Sequence, residues 1–113
     1  MEIIISNHAK NTITDIFYYS KNISYNYAKR VVNEIYDNIY TLQYAPYIGR
    51  YVPELSDKHY RERICHNYRI IYFISEENNT IFIRYIISCK QNSKLFFNVH
   101  RKELFNFLNL FFN

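Results

Sequence analysis

Both prolines and the single glycine of this chain lie between Ala45 and Leu55. Before this stretch the apolar residues recur every three or four positions, which is typical of helices. After it they alternate with a period of two, which is typical of strands. Because Pro46 cannot continue a helix, the sequence predicts a helical part, an ordered loop with a short turn of helix over residues 45–55, and then a sheet.

The part before the loop predicts one strand and two helices. Glu2–Ser6 is a β-branched run that indicates a first strand. The spacing of apolar residues then predicts a helix over His8–Lys21. Ser24 is suited to cap a second helix, whose apolar stripe extends over residues 28–42. Because one or two residues separate the helices, we expect an antiparallel helix hairpin.

The part after the loop predicts three consecutive strands. Alternating or β-branched runs occupy Tyr60–Cys65, Tyr68–Ile74 and Thr80–Ser88. His66–Asn67 is suited to a tight turn, and Ser75–Asn79 is a polar turn. Strands joined by such short connections form an antiparallel meander. The predicted fold class is therefore α+β.

The segment after the last strand predicts a C-terminal helical tail over about residues 98–113. Its apolar residues occupy more than one side, so an undocked tail would expose a large hydrophobic patch. The sequence does not indicate whether the tail docks on its own sheet, on a second copy of the chain or on a partner protein. Cys65 and Cys89 are expected about 9.6 Å apart, beyond the roughly 7 Å that a disulfide spans, and so to be free thiols.

Composition limits the possible functions. At 113 residues and 49% hydrophobic, the chain is expected to form a single domain over residues 1–113. One glycine excludes a P-loop and a dinucleotide-binding fingerprint. A formal net charge of +4 favours an anionic partner. The two cysteines, and the lack of a signal sequence or an 18-residue apolar run, favour the cytoplasm over secretion or a membrane.

The predicted sheet suggests a basic cluster. Side chains alternate across a strand, so Arg61 and Arg63 are expected on the same face. Arg69 on the next strand can join them if the register allows, and Lys90 can close the cluster from the side. Guanidinium groups suit bidentate contact with phosphate oxygens. The alternative is a solvated face of the sheet without a ligand.

The order of these elements, together with four short motifs, resembles the RelE/ParE toxin superfamily of type II toxin–antitoxin systems. The similarity extends from about Glu2 to Asn92. The motifs that carry it are Pro46-Tyr47-Ile48-Gly49-Arg50, Val52-Pro53-Glu54-Leu55, Tyr60-Arg61-Glu62 and Asn67-Tyr68-Arg69-Ile70-Ile71-Tyr72. The resemblance implies an antiparallel helix hairpin packed on a twisted antiparallel sheet. It also implies a toxin that a cognate antitoxin holds inactive, with a homodimer or a toxin–antitoxin hetero-oligomer as the assembly.

The superfamily contains ribosome-dependent messenger-RNA endonucleases and inhibitors of DNA gyrase, so the resemblance implies one of two activities. Arg61, Arg63 and Arg69 match basic positions of the nucleases, where with Lys90 they would stabilise charge on the phosphate. We therefore expect mRNA cleavage on the ribosome, with no cofactor and no metal. The alternatives are gyrase inhibition without catalysis, and a toxin fold that now serves as a binding module.

Departures from the nuclease pattern concern proton transfer. Arginine stays protonated and cannot act as a base. Ser88 stands where many relatives have a histidine, and Phe96 or Phe97 replaces a late tyrosine. Lys90 with a lowered pKa is a possible base, although an ordinary exposed lysine is the alternative.

Three further residues are candidate RNA contacts. Tyr47 in the loop is suited to stack on a base, unless the loop serves to cover the sheet. Arg50 is suited to a ligand, to Glu54 or to the helix hairpin. His66 is a candidate because an unperturbed histidine titrates near neutrality, although a turn histidine is usually solvated. Tyr68 and Tyr72 share a strand face, where we expect them to belong to the core.

Overall fold

A computed structural model describes residues 1–112, and Asn113 lies outside the described residues. The order of elements confirms the predicted α+β class. The elements are β1 (Glu2–Ile5), α1 (Asn7–Lys21), α2 (Tyr25–Thr41), β2 (Arg50–Tyr51), β3 (Tyr60–Cys65), β4 (Tyr68–Ser75), β5 (Thr80–Ser88) and α3 (Ser93–Phe112).

The described strands form a five-stranded sheet in the order β1-β5-β4-β3-β2. Strands β3, β4 and β5 form the predicted antiparallel meander. Strand β1 pairs with β5 in parallel, so the sheet is mixed where a wholly antiparallel one was expected. Parallel strands need a long connection, and here the chain between β1 and β5 includes the helix hairpin, the loop and strands β2 to β4.

The loop over residues 45–55 contains a strand that the sequence did not predict. Arg50 pairs with Glu62 and Tyr51 pairs with Arg61, which makes the two-residue β2 the edge of the sheet. Two residues are too few to show a period in sequence. The prediction of a loop without a strand was therefore wrong at this point.

Serine caps begin both helices of the hairpin. Ser6 Oγ accepts a hydrogen bond from Ala9 N at 3.0 Å, which starts α1 one residue before the predicted His8. Ser24 Oγ accepts one from Tyr27 N at 2.9 Å, as its predicted role as a cap requires. Each cap satisfies a backbone N–H that the first helical turn leaves free.

The two faces of the sheet carry two separate hydrophobic clusters. On one face α1 and α2 pack against Cys65, Ile70 and Tyr72, with Tyr68 at the edge of the cluster. On the other face α3 packs against a cluster whose members include Tyr60, Ile71, Phe73, Tyr85 and Phe97. The predicted C-terminal tail therefore docks on its own sheet, in a helix that begins at Ser93 rather than near residue 98.

Tyr72 fastens the glycine-containing loop to the sheet. Its buried hydroxyl accepts a hydrogen bond from Gly49 N at 2.9 Å and donates one to Pro46 O at 2.9 Å. A Cβ on residue 49 would contact the Tyr72 hydroxyl and lie 2.5 Å from Glu62 O. Glycine is required at position 49 for this close approach of the loop to β3.

Both cysteines are free thiols, as predicted. Cys65 is buried, and its Sγ accepts a hydrogen bond from Asn38 Nδ2 at 3.3 Å. Burial raises the pKa of the Cys65 thiol, which keeps it in the unreactive protonated form.

Candidate functional site

The register between β3 and β4 separates the three arginines that were expected to cluster. Arg61 lies opposite Tyr72 and Arg63 lies opposite Ile70, so both project from the face that the helix hairpin covers. Arg69 lies opposite Ile64, which puts it on the other face with α3. The prediction that Arg69 joins the other two was therefore wrong, because side chains alternate across a strand.

Arg61 is held at the sheet edge by the loop and by two aromatic rings. Its Nη1 donates to Gly49 O at 2.8 Å, and its guanidinium lies 5.2 Å from the Tyr47 ring and 4.4 Å from the Tyr51 ring. In the part of the chain that the structure describes, no carboxylate pairs with Arg61. The structure thus unites two predicted site residues, Arg61 and Tyr47, in one exposed cationic and aromatic edge.

Arg63 is joined to the helix hairpin instead. Its Nε donates to Asn38 Oδ1 at 2.7 Å. Asn38 in turn donates to Glu34 O at 2.9 Å from within the same helix. Arg63 therefore contributes to the attachment of α2 to β3.

Arg69 lies in a network of charged residues on the opposite face. Its two Nη atoms donate to the two carboxylate oxygens of Glu54, each at 2.7 Å, and its Nε donates to Glu62 at 2.7 Å. Glu62 is 1% exposed and also accepts from Arg50 Nε at 2.7 Å. Glu62 was not among the partners predicted for Arg50, because strand β2, which pairs Arg50 with Glu62, was not predicted.

The electrostatics of this network favour the charged forms. Hydrogen bonds from Arg69 lower the pKa of Glu54 to about 2, against the raising effect of burial. Hydrogen bonds to Glu54 raise the pKa of Arg69 above its ordinary value. Arg69 is 8% exposed, and two carboxylates balance its charge. Its guanidinium therefore has no open side at which a phosphate could accept two hydrogen bonds.

The surroundings of Arg69 contain few of the groups that the nuclease pattern needs. The β3 side chains on its face are Tyr60, Glu62 and Ile64, an aromatic residue, an acid and an aliphatic residue. Its guanidinium lies 5.5 Å from the ring of Phe97 on α3. Of the two candidate replacements for the late tyrosine, the structure thus places Phe97 beside Arg69, without a hydroxyl to donate.

Lys90 and His66 both lie at the far end of the sheet. They line a groove of about 340 Å³ between the helix hairpin and the ends of β3, β4 and β5, which we call the hairpin groove. Its lining includes Tyr19, Tyr27, His66, Tyr68, Ser88 and Lys90, and in the described residues none of the three arginines. The three-arginine cluster that Lys90 was expected to close is not formed, because Arg69 lies on the other face of the sheet.

His66 takes a positive φ of 54° in the two-residue turn, and its Nε2 bonds to Glu34 Oε2 of α2. Because His66 lines the hairpin groove, this contact joins one wall of the groove to α2. The predicted solvated turn histidine is thus a partner of the helix hairpin.

Glu54 and Glu62 are the partners of Arg69 that sequence reasoning missed. A signal for Glu62 was present, because a two-residue turn at His66–Asn67 pairs Ile64 with Arg69 and so puts Glu62 on the same face as Arg69. Glu54 comes from the loop, fifteen residues before Arg69, and no periodicity indicates its position.

Residues 1–112 contain neither a metal-ligand cluster nor a membrane-spanning helix. Among residues 1–112, no group of three or more His, Cys, Asp or Glu side chains is arranged to hold a metal ion. In the same range, none of the helices has the length and apolar character that crossing a membrane requires.

Comparison with known proteins places the fold. A solved structure of the chromosomal ParDE TA system from P. aeruginosa matches with a TM-score of 0.64 at 18% sequence identity, covering 78% of this chain and 95% of that one. A search of curated proteins matched none. Residues 3–93 match the family described as "ParE toxin of type II toxin-antitoxin system, parDE". With most of its length matched, the chain belongs to the ParE toxin family of type II toxin–antitoxin systems.

Proposed function

We propose that this protein is a toxin that inhibits DNA gyrase by binding, without catalysis, and that a cognate antitoxin holds it inactive. The whole chain is proposed to act as one domain in the cytoplasm, where gyrase works. Family membership supports the class of toxin. The choice of mechanism depends on how the charged residues are arranged.

The observation that carries the proposal is the pairing of Arg69 with Glu54 and Glu62. Cleavage of RNA by its own 2′-hydroxyl needs positive charge around the developing phosphorane. Arg69 has no charge to spare, since two carboxylates already neutralise it, and Arg61 and Arg63 lie on the opposite face of the sheet. A single phosphate cannot contact all three arginines in this arrangement.

Proton transfer gives a second argument against catalysis. A general base must lie within hydrogen-bond reach of the proton that it abstracts. Lys90 and His66 are titratable, but both lie in the hairpin groove, apart from the arginines. His66 is further engaged by Glu34. The candidate bases and the candidate phosphate-binding residues therefore do not form one site.

A supercoiling assay run beside a translation assay tests the proposal. We expect the purified chain to block ATP-dependent supercoiling of relaxed plasmid by gyrase. We also expect messenger RNA in a coupled translation reaction to remain intact by primer extension. Unaffected supercoiling together with message cut in phase with the codons would contradict gyrase inhibition.

Ribosome-dependent mRNA cleavage remains the second candidate, and the sheet edge supports it. Arg61 lies between the half-exposed rings of Tyr47 and Tyr51, and such rings and guanidinium planes stack on unpaired bases. If cleavage occurs, Arg61→Gln should abolish the codon-phased cuts. Lys102→Gln, which makes the same charge change on the exposed face of α3, should leave them unchanged.

If both the supercoiling and the translation assay are negative and expression does not arrest growth, the binding-module alternative stands.

For the antitoxin, we propose an acidic or amphipathic segment that covers basic surface or exposed apolar residues of α3. Leu95, Val99, Phe105 and Leu110 are each more than half exposed, and the chain carries a formal +4 charge. We expect the product of a neighbouring open reading frame to co-purify with this chain. A Val99→Ser, Leu110→Ser double variant should weaken that complex without lowering the melting temperature. A monomer that retains no such partner would contradict the proposal.

A further inference from the structure

Three tyrosines and a lysine converge in the hairpin groove. Tyr19 and Tyr27 reach it from the helix hairpin, Tyr68 from the start of β4, and Lys90 from the turn after β5. Burial raises the pKa of Tyr68, and the nearby Tyr27 and Tyr19 hydroxyls raise it further. All three tyrosines and Lys90 line this one groove of about 340 Å³, so their polar ends share a small volume.

The rings of Tyr27 and Tyr68 pack against the hydrophobic cluster under the helix hairpin, but the polar ends of these side chains are not used there. In the described residues, neither the three phenolic hydroxyls nor the Lys90 ammonium makes a hydrogen bond or an ion pair with another side chain or with the backbone. Hydrogen-bond donors that converge without partners in a concave site are typical of a ligand-binding surface. The groove thus presents three hydroxyl donors and one positive charge to whatever occupies it.

The charge of the groove favours an anion. No acidic side chain of the described residues lines the groove, and Glu34 of α2 is bonded to His66. Ser88 Oγ accepts from Lys90 N at 3.2 Å, which fixes the turn from which the ammonium extends. Charge-assisted hydrogen bonds from an ammonium to an oxyanion are stronger than neutral ones.

The number of donors favours phosphate over carboxylate. A phosphate monoester offers three acceptor oxygens and up to two negative charges, whereas a carboxylate offers two oxygens and one charge. The groove, at about 340 Å³, is larger than a phosphate group, and Ile23 and Val31 add apolar wall. We propose that the hairpin groove binds a small organic molecule through its phosphate monoester, with Lys90 and the three tyrosine hydroxyls on the phosphate oxygens.

An NMR titration of the full-length chain tests this proposal separately from gyrase inhibition, which is read by supercoiling. Inorganic phosphate, a nucleoside 5′-monophosphate, the matching nucleoside and acetate are added in turn. We expect saturable shifts of the backbone amides of Asn67, Ser88 and Lys90 with both phosphate probes, tighter with the monophosphate. Nucleoside or acetate that binds as tightly as the monophosphate would overturn the proposal, as would shifts confined to the Arg61 edge.

Variants identify the groups responsible. Lys90→Gln should weaken binding of the monophosphate about tenfold, and Tyr68→Phe, which keeps the ring, about fivefold. Lys102→Gln changes the same charge far from the groove and should have no effect. Equal weakening by Lys102→Gln and Lys90→Gln would reduce the effect to net charge and overturn the proposal. Thermal melting of each variant separates lost binding from lost folding.

Discussion

Arg69 shows at the residue scale that the partners of a charged side chain decide its role. In sequence it matches a position of the nucleases of the superfamily and suggests a phosphate contact. In the structure Glu54 and Glu62 accept hydrogen bonds from its Nε and both Nη atoms. A buried ion pair stabilises a fold only when each charge is well paired, and here Arg50 satisfies the second oxygen of Glu62. The network serves to join the loop to the sheet.

Glu54 gives a prediction about pH. Its pKa is lowered to about 2 in the folded protein, from an ordinary value of 4.5. The stabilisation is therefore fully present above the unfolded pKa and lost as the pH falls from about 5 towards 2. Glu54→Gln should lower the free energy of unfolding at pH 7 by about 1–2 kcal/mol, since the carboxylate is partly open to solvent.

Urea unfolding of both proteins at a series of pH values measures this difference. The gap between wild type and Glu54→Gln should be largest above pH 5 and close as the pH approaches 2. Glu77→Gln removes an exposed carboxylate outside the network and serves as the control, with a change close to zero. A gap that stays constant from pH 7 down to pH 2 would contradict the assigned pairing.

At the scale of elements, tertiary contacts define a strand such as β2, which shows no periodic pattern of apolar residues in the sequence. Strand β2 exists because the loop is tied to the sheet by the Tyr72 hydroxyl and by the close approach at Gly49. These contacts place Tyr51 beside Arg61, and so they also assemble the cationic and aromatic edge. The position of this edge thus depends on the Tyr72 hydroxyl and on the absence of a side chain at Gly49.

Removal of that hydroxyl is expected to loosen the loop. Tyr72→Phe leaves the buried Gly49 N–H without its acceptor and should cost about 1–3 kcal/mol of stability. Tyr44→Phe makes the same chemical change on a side chain that is 89% exposed and should cost almost nothing. Hydrogen exchange should show faster exchange at residues 49–51 in Tyr72→Phe. Unchanged exchange there would argue against the anchoring role of Tyr72.

Gly49 itself is expected to resist substitution. A methyl group in Gly49→Ala would contact the Tyr72 hydroxyl and Glu62 O, so the loop must shift away from β3. Such overpacking costs about 1–3 kcal/mol. Calorimetric melting should show the loss, and a melting temperature equal to that of wild type would mean that the loop has more room than the structure shows.

For the whole molecule, the sheet is covered on both faces by helices from opposite ends of the chain. The hairpin α1–α2 covers one face and α3 the other, with Leu104 and Leu108 of α3 buried against the second cluster. Tyr60 Oη donates to Leu104 O at 3.0 Å, and burial raises the pKa of Tyr60 well above its ordinary value. The helix is therefore part of the folded core and not a detachable tail.

This role of α3 predicts a contrast between two leucines. Leu104→Ala removes a side chain that is 3% exposed and should cost about 2–4 kcal/mol, through lost burial and a cavity. Leu110→Ala, at a position 76% exposed on the same helix, should cost less than about 0.5 kcal/mol.

Truncation before Val99 should lower the melting temperature sharply. If truncation left the melting temperature unchanged, α3 would be an interaction element only.

Local patterns predicted most of the elements because periodicity and capping act over a few residues. The stripe of α2, the Ser24 cap and the alternation of β3 each reflect neighbours within one or two turns. The helix hairpin and the meander follow from short connections. The alternation of side chains also predicted which residues of β3 share a face. The two-residue turn at His66–Asn67 implies the register between β3 and β4 that places Arg69 on the second face.

By itself, then, the sequence determined the α+β class, the element order and the likeness to the RelE/ParE superfamily. Only the tertiary structure decided that Glu54 reaches Arg69, that Lys90 and His66 line one groove, and that α3 covers the sheet. These arrangements bring together segments far apart in the chain. Which surfaces meet depends on how two layers of helices bury both faces of one sheet, and no local spacing encodes that choice.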